Sequence, residues 1–149
     1  MPPSAFPLPA PGDIVYCRFP EVIGKPGPKP RPALVTGLAE FDDGAKGVVV
    51  AYGTSQKTSE LLSGEFLIAA SDGEAYRAAG LSFATKFDLR RIATLPYTDE
   101  WFRIPPVPLH GQTPKLGILH PSLMRRAQAA FAAARAGGAS LTPSSSRDA

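Results

Sequence analysis

The sequence predicts a mainly β domain: a compact, barrel-like sheet of short strands capped by one C-terminal helix. Apolar runs of strand length recur between residues 12 and 96. Proline (17) and glycine (14) are abundant, and because proline breaks helices and central strands, that supply favours short strands joined by shaped loops. Near the C-terminus, apolar residues switch to three- and four-residue steps, the period of a helix packed on one face.

The 149 residues fit one domain, spanning 12–136, with enough length to bury a core without cross-links. Residues 1–11 (MPPSAFPLPAP) read as an extended, poorly ordered lead, and 137–149 as a disordered tail. The net charge of +3 and pI near 9.2 permit nucleic-acid binding without requiring it. Cys17 is the only cysteine, so no internal disulfide forms; a buried, inert thiol in a reducing compartment is expected. No run is long enough to span a bilayer, and the N-terminus lacks the basic start and apolar core of a secretory signal. A cytoplasmic protein with no membrane partner is the expectation.

Gly12-Asp13 opens the first strand, Ile14–Phe19, in which Ile14, Tyr16 and Arg18 face one way and Val15, Cys17 and Phe19 the other. Pro20 ends it. Residues 20–32 hold five prolines that stiffen a loop carrying Lys25, Lys29 and Arg31. Ala33–Leu38 is the second strand, residues 40–44 an acidic turn, and Val48–Tyr52 a central strand buried on both faces. Residues 57–64 loop over the sheet, and Glu65–Ala70 forms another strand. Tyr76–Gly80 fits a single helical turn, and LSFATKFDLRRIATLP supplies one or two strands. Residues 103–115 read as a loop. Pro121 takes the first helical position, and Leu123, Met124, Ala127, Ala130, Phe131 and Ala134 form the packed stripe.

The cationic loop enters one strand, while Thr54-Ser55-Gln56 closes the next. Meeting at one end of a sheet, the two would suit an anionic substrate such as a phosphodiester. Arg31 has the planar fork to hold two phosphate oxygens, and it equally fits a surface arginine fixed by a proline turn. Thr54 and Ser55 can touch a phosphate or simply satisfy backbone groups. Asp88 and Arg91 suit either chemistry or a structural ion pair. Tyr16, Phe19, Tyr52 and Trp101 can stack on bases or fill the core. His110 and His120 read as bystanders. No Cys/His/Asp cluster has metal-ligand spacing, no phosphate-binding glycine loop is present, and no cofactor is expected.

The order Gly12-Asp13 plus apolar strand, then Gly24, loop and Arg31-Pro32-Ala33-Leu34-Val35, then Thr54-Ser55-Gln56 resembles the MazF/PemK toxins of bacterial toxin–antitoxin systems. The likeness continues through Gly80-Leu81, Lys86-Phe87-Asp88, Arg91-Ile92 and His120-Pro121-Ser122-Leu123-Met124. It implies an SH3-like barrel, a homodimer, a cognate antitoxin, and metal-independent cleavage of single-stranded RNA. In that chemistry the ribose 2′-hydroxyl attacks and leaves a 2′,3′-cyclic phosphate.

By the same resemblance Arg31 matches the principal catalytic arginine and Thr54 a threonine at the scissile region. Asp88 matches a carboxylate proposed as general base. Lys86 stands where one branch has an arginine donor, and Lys25-Pro26 departs from an acidic or histidine residue followed by a glutamine-containing turn. Lys25, Lys29, Ser55, Gln56 and Arg91 would contact RNA. A catalytically silent RNA- or protein-binding module on the same fold is the alternative. A topoisomerase inhibitor of related fold is a third, against which the Arg-Pro and Thr-Ser-Gln set argues.

Overall fold

The computed structural model describes residues 6–137. Its strands are β1 (Asp13–Cys17), β2 (Arg31–Glu40), β3 (Lys46–Thr54), β4 (Glu65–Ile68), β5 (Thr85–Pro96) and β6 (Lys115–Ile118). The helices are α1 (Glu74–Ala79) and α2 (Met124–Gly137), each preceded by a 3₁₀ turn, 70–72 and 121–123. The strands form one sheet in the order β4-β5-β3-β2-β1-β6, with every pairing antiparallel. A mainly β fold with a C-terminal helix is therefore what the chain adopts.

Alternation along the strands divides the interior into two clusters. Ile14, Leu34, Phe66 and Phe87 lie on one face, under Ala75 and Ala79 of α1 and Ala127, Ala130 and Ala134 of α2. Val15, Cys17, Val35, Val48 and Val50 lie on the other with Tyr97, Trp101 and Phe102. β3 contributes to both, as its near-unbroken apolar run requires. Burial pushes the Cys17 thiol pKa up, which keeps it an unreactive hydrophobe.

Four departures from the expected elements have physical causes. Residues 6–11 lie against the sheet instead of trailing free: the Phe6 ring meets Tyr97 edge-on at 5.9 Å, Pro9 is buried, and Tyr97 Oη donates to the Pro7 carbonyl at 2.9 Å. Short proline-rich segments carry no periodicity, so only the pocket they fill reveals them. Residues 1–5 and 138–149, the rest of the predicted lead and nearly all of the tail, lie outside the described residues. Lys115–Ile118 forms edge strand β6, paired with β1, starting on the last residue of the expected loop; four residues are too few for alternation to register.

The stripe of α2 is narrower than expected. Ala127, Ala130 and Ala134 face the sheet, while Met124 and Phe131 are exposed and Arg135 lies 5.5 Å over the Phe131 ring. Alanines let the helix approach closely, which leaves the larger side chains at the rim. Finally, LSFATKFDLRRIATLP yields one long strand with a bulge: Ala51 pairs with Ile92, but Tyr52 pairs with Asp88.

α1 approaches β6 backbone to backbone. Gly80 caps α1 in the left-handed region (φ 69°), and a Cβ there would overlap the Leu116 carbonyl. This contact sets the position of Leu81 and Leu116 beside the site described next.

Candidate functional site

Pro30 and Pro32 hold Arg31 in extended geometry, and β2 starts there. β3 ends at Thr54. The register pairs Ala33 with Tyr52, and continuing it by two residues sets Arg31 opposite Thr54. Behind them Gly53 abuts the Pro32 carbonyl so closely that a Cβ would overlap it, and the Phe87 ring is 2.9 Å from the same point. Only glycine lets the strands close here.

Arg31 and Thr54 line one cleft of about 260 Å³, with Lys29 and Ser55 beside them and Tyr16, Leu81, Ser82, Phe83, Thr85 and Leu116 completing the wall. Among the described residues no Asp, Glu or His lines it. Neither Lys29 nor Arg31 makes an ion pair among the described residues. The cleft therefore presents two unneutralised cations. Thr54 Oγ1 accepts from the Gln56 backbone N at 3.0 Å, which leaves its O–H proton free to donate to a ligand.

The other sequence candidates lie elsewhere. Lys25 sits in an exposed turn bridged to Val22, and Gln56 does not line the cleft but touches Thr54 through its backbone N. Arg91 stacks its guanidinium 4.0 Å over Tyr52 and 5.9 Å from Phe19, a cation–π contact on the opposite core. His120 accepts from the Ser122 backbone N at 3.1 Å and caps the 3₁₀ turn. His110 lies on an exposed loop.

Lys86 and Asp88 are both buried and belong to a network across β4 and β5. Lys86 Nζ donates to Glu65 Oε1 at 3.0 Å and to the Glu60 carbonyl at 2.9 Å. Glu65 Oε1 also accepts from the Leu62 backbone N at 2.7 Å, so the pair ties down the loop that follows Gln56. Asp88 closes the β5 bulge, accepting from the Arg90 backbone N at 2.9 Å and from its guanidinium at 3.1 and 3.2 Å. Those bonds raise the Arg90 pKa. The expected Asp88–Arg91 partnership is thus made by Arg90. Neither Lys86 nor Asp88 lines the cleft.

Sequence reasoning passed over Gly53, Ser82 and Leu116. Gly53 directly precedes the hydroxyl pair, and a glycine ending an otherwise apolar strand was the available signal of close backbone approach. Among the described residues no three His, Cys, Asp or Glu side chains are placed to share a metal ion, and no helix is long and apolar enough to cross a membrane.

A family model described as PemK-like, MazF-like toxin of type II toxin–antitoxin system matches residues 10–134. Among solved structures, the chain is similar to an endoribonuclease in complex with its cognate antitoxin from a mycobacterial species. The TM-score is 0.53 at 19% identity, covering 87% of this chain and 96% of that one. A second endoribonuclease from a mycobacterial species gives a TM-score of 0.52 at 16% identity, covering 89% and 96%. No curated protein sequence matches significantly.

Proposed function

The chain belongs to the PemK-like, MazF-like toxins of type II toxin–antitoxin systems, and from that premise we propose that it is an endoribonuclease acting on single-stranded RNA. The observation that carries this reading is the convergence of Arg31 and Thr54 on one cationic cleft that no carboxylate lines among the described residues. A phosphodiester seated there meets a guanidinium able to bridge two phosphate oxygens and a hydroxyl with a proton to donate.

The chemistry is internal transesterification. The ribose 2′-oxygen attacks the adjacent phosphorus, the bond to the 5′-oxygen breaks, and the products are a 2′,3′-cyclic phosphate and a 5′-hydroxyl. Negative charge grows on the equatorial oxygens in the transition state, and Arg31 is placed to stabilise it. Thr54 donates to a phosphate or ribose oxygen, while Lys29 and Ser55 hold the flanking backbone. With no carboxylate or imidazole among the described residues of the wall, the 2′-hydroxyl proton passes to solvent or to a group supplied by a second subunit, and the leaving 5′-oxygen takes up a proton from the same source. Lys86 and Asp88 act by holding the loop and the bulge next to the cleft. No step requires a metal.

The test is to incubate the purified protein with a long RNA in EDTA and map the ends. Cyclic-phosphate ends at short, recurring sequences are expected. Intact RNA at high protein excess, or cleavage abolished by chelation, overturns the reading. Within it the protein works in the cytoplasm as a homodimer whose cleft a cognate antitoxin masks. Sedimentation of the toxin alone and with the neighbouring gene product tests both statements.

The engagement of Lys86 and Asp88 in ion pairs favours a second reading, a module that binds RNA without cutting it. That reading requires salt-sensitive binding, and a single cyclic-phosphate end removes it.

A further inference from the structure

We propose that Arg18 is a positioning residue, one that holds Lys29 in the cleft by clamping the neck of the β1–β2 loop. The role it serves, RNA binding by Lys29, rests on the endoribonuclease reading above. Arg18 directly follows β1 and does not line the cleft. Its Nε donates to the Gly27 carbonyl at 2.9 Å, and its Nη1 donates to the Glu100 carbonyl at 3.3 Å. The Gly27 backbone N donates back to the Arg18 carbonyl at 3.0 Å. One side chain therefore closes residues 19–26 into a side loop and ties its neck to the turn at 98–101.

That turn is a firm abutment. The Arg18 backbone N donates to the Trp101 carbonyl at 2.8 Å, and the Arg103 backbone N donates to the Tyr16 carbonyl at 3.1 Å. Cys17 bridges Phe102 between them, and both Trp101 and Phe102 are buried. The loop side of the neck is as tight: Gly27 is buried, and a Cβ there would overlap the Phe19 carbonyl. Phe19 in turn meets Tyr52 edge-on at 5.2 Å.

From the neck the chain has only Pro28, Lys29 and Pro30 to reach Arg31, which the ladder holds opposite Cys17. Lys29 is thus the middle of three residues anchored at both ends, and its two neighbours have φ preset. Opening the neck turns that span into the twelve residues 19–30. The volume a flexible span explores grows as about the 3/2 power of its length, so the fraction of time Lys29 spends at the cleft falls by up to roughly eightfold. Arg31 keeps its ladder pairing, so the loss falls on binding and not on charge stabilisation in the transition state.

The experiment is a cycle of full-length wild type, Arg18→Met, Lys29→Ala and the double variant, with thermal melts to confirm folding. Cleavage is read on a fluorophore–quencher RNA built on the mapped cut site. Binding is read on a mixed-sequence nine-nucleotide RNA methylated at every 2′-oxygen, which cannot be cut. Arg18→Met is expected to raise KM and Kd by about threefold to roughly eightfold with kcat near wild type, the signature of lost ground-state binding. Lys29→Ala raises both on its own, and the double variant is no worse than Lys29→Ala, because Arg18 acts through Lys29. Arg18→Lys, which keeps the charge and one donor for the Gly27 carbonyl, recovers part of the loss and serves if Arg18→Met does not fold. Hydrogen exchange quickens in the 19–31 peptide of Arg18→Met and stays unchanged in β3 and β5. Wild-type KM and Kd in both Arg18 variants, effects of Arg18 and Lys29 that multiply, or a loss confined to melting temperature overturns the clamp and leaves the nuclease reading standing. Should wild type bind the methylated RNA yet cut nothing, the nuclease reading fails, and the same cycle in Kd decides the clamp. A wild type that neither cuts nor binds overturns both.

Discussion

Arg31 at the start of β2 and Thr54 at the end of β3 line the same cleft, with Gly53 pressed against the Pro32 carbonyl behind them. This makes the site a property of strand register, so substitutions at the two positions act on chemistry and not on the core. Arg31→Ala is expected to lower the cleavage rate by about 100- to 1000-fold, the range for loss of a charge-stabilising donor. Arg31→Lys recovers only part of it, because an ammonium cannot bridge two oxygens. Thr54→Val keeps the shape but removes the donated proton, and a loss of roughly 10- to 100-fold is expected for a hydrogen bond to a charged group. Single-turnover cleavage with urea unfolding checks all three; normal cutting by Arg31→Ala places the chemistry elsewhere.

Gly53→Ala tests the register itself. Its Cβ would overlap the Pro32 carbonyl and meet two Phe87 ring carbons at 2.9 and 3.1 Å. Overpacking of this kind typically costs 1–3 kcal/mol, and the upper end, about 3 kcal/mol, is expected because one obstacle is backbone. Splaying the strands also separates Arg31 from Thr54, so cleavage should fall further than the folded fraction does. Equal losses in urea midpoint and activity would show that the cleft tolerates the shift.

The parts legible in the sequence share a cause: they repeat. The alternation of Ile14–Phe19, the double-sided burial of Val48–Tyr52 and the alanine steps of α2 each register as a period. The Arg-Pro and Thr-Ser pairs stand out because each lies at a strand end whose run is readable. The surroundings of Lys86 and Asp88 carry no such signal, because charge in a strand of mixed pattern looks exposed; pairing with β4 brings Glu65 to Lys86, and the β5 bulge brings Arg90 to Asp88. The docking of Phe6 and Pro9 and the reach of Arg18 to the Glu100 carbonyl depend on contacts distant in the chain, which no local pattern carries.

Tyr97 predicts a loss of stability in alkali. Burial, with the Asp13 charge adding to it, raises its phenol from 10.0 to about 12. The fold therefore retains a proton that the unfolded chain releases. Stability is complete below pH 10 and falls as pH rises toward 12, by up to about 1.4 kcal/mol per pH unit. Tyr97→Phe loses the hydrogen bond to the Pro7 carbonyl, so it is less stable at pH 8 by about 1 kcal/mol. The gap between it and wild type should close between pH 10 and 12. Parallel urea-unfolding curves across that range would refute the assignment.

Lys86 distinguishes a support from a proton donor. Lys86→Met leaves Glu65 buried, its remaining cation being Arg90 at 4.0 Å, and breaking one side of a buried pair costs about 3–5 kcal/mol. Replacing both partners, Lys86→Met/Glu65→Met, removes the stranded charge and is expected to cost less than the sum of the single changes, a coupling that a double-mutant cycle reads directly. Under conditions where Lys86→Met remains folded, its cleavage rate should stay within about threefold of wild type, since the loop is loosened but no reacting proton is lost. A donor role demands instead a fall of at least about 100-fold under those same folded conditions. Because Glu65 is stranded under either assignment, stability falls in both, and the rate of the folded variant decides between them.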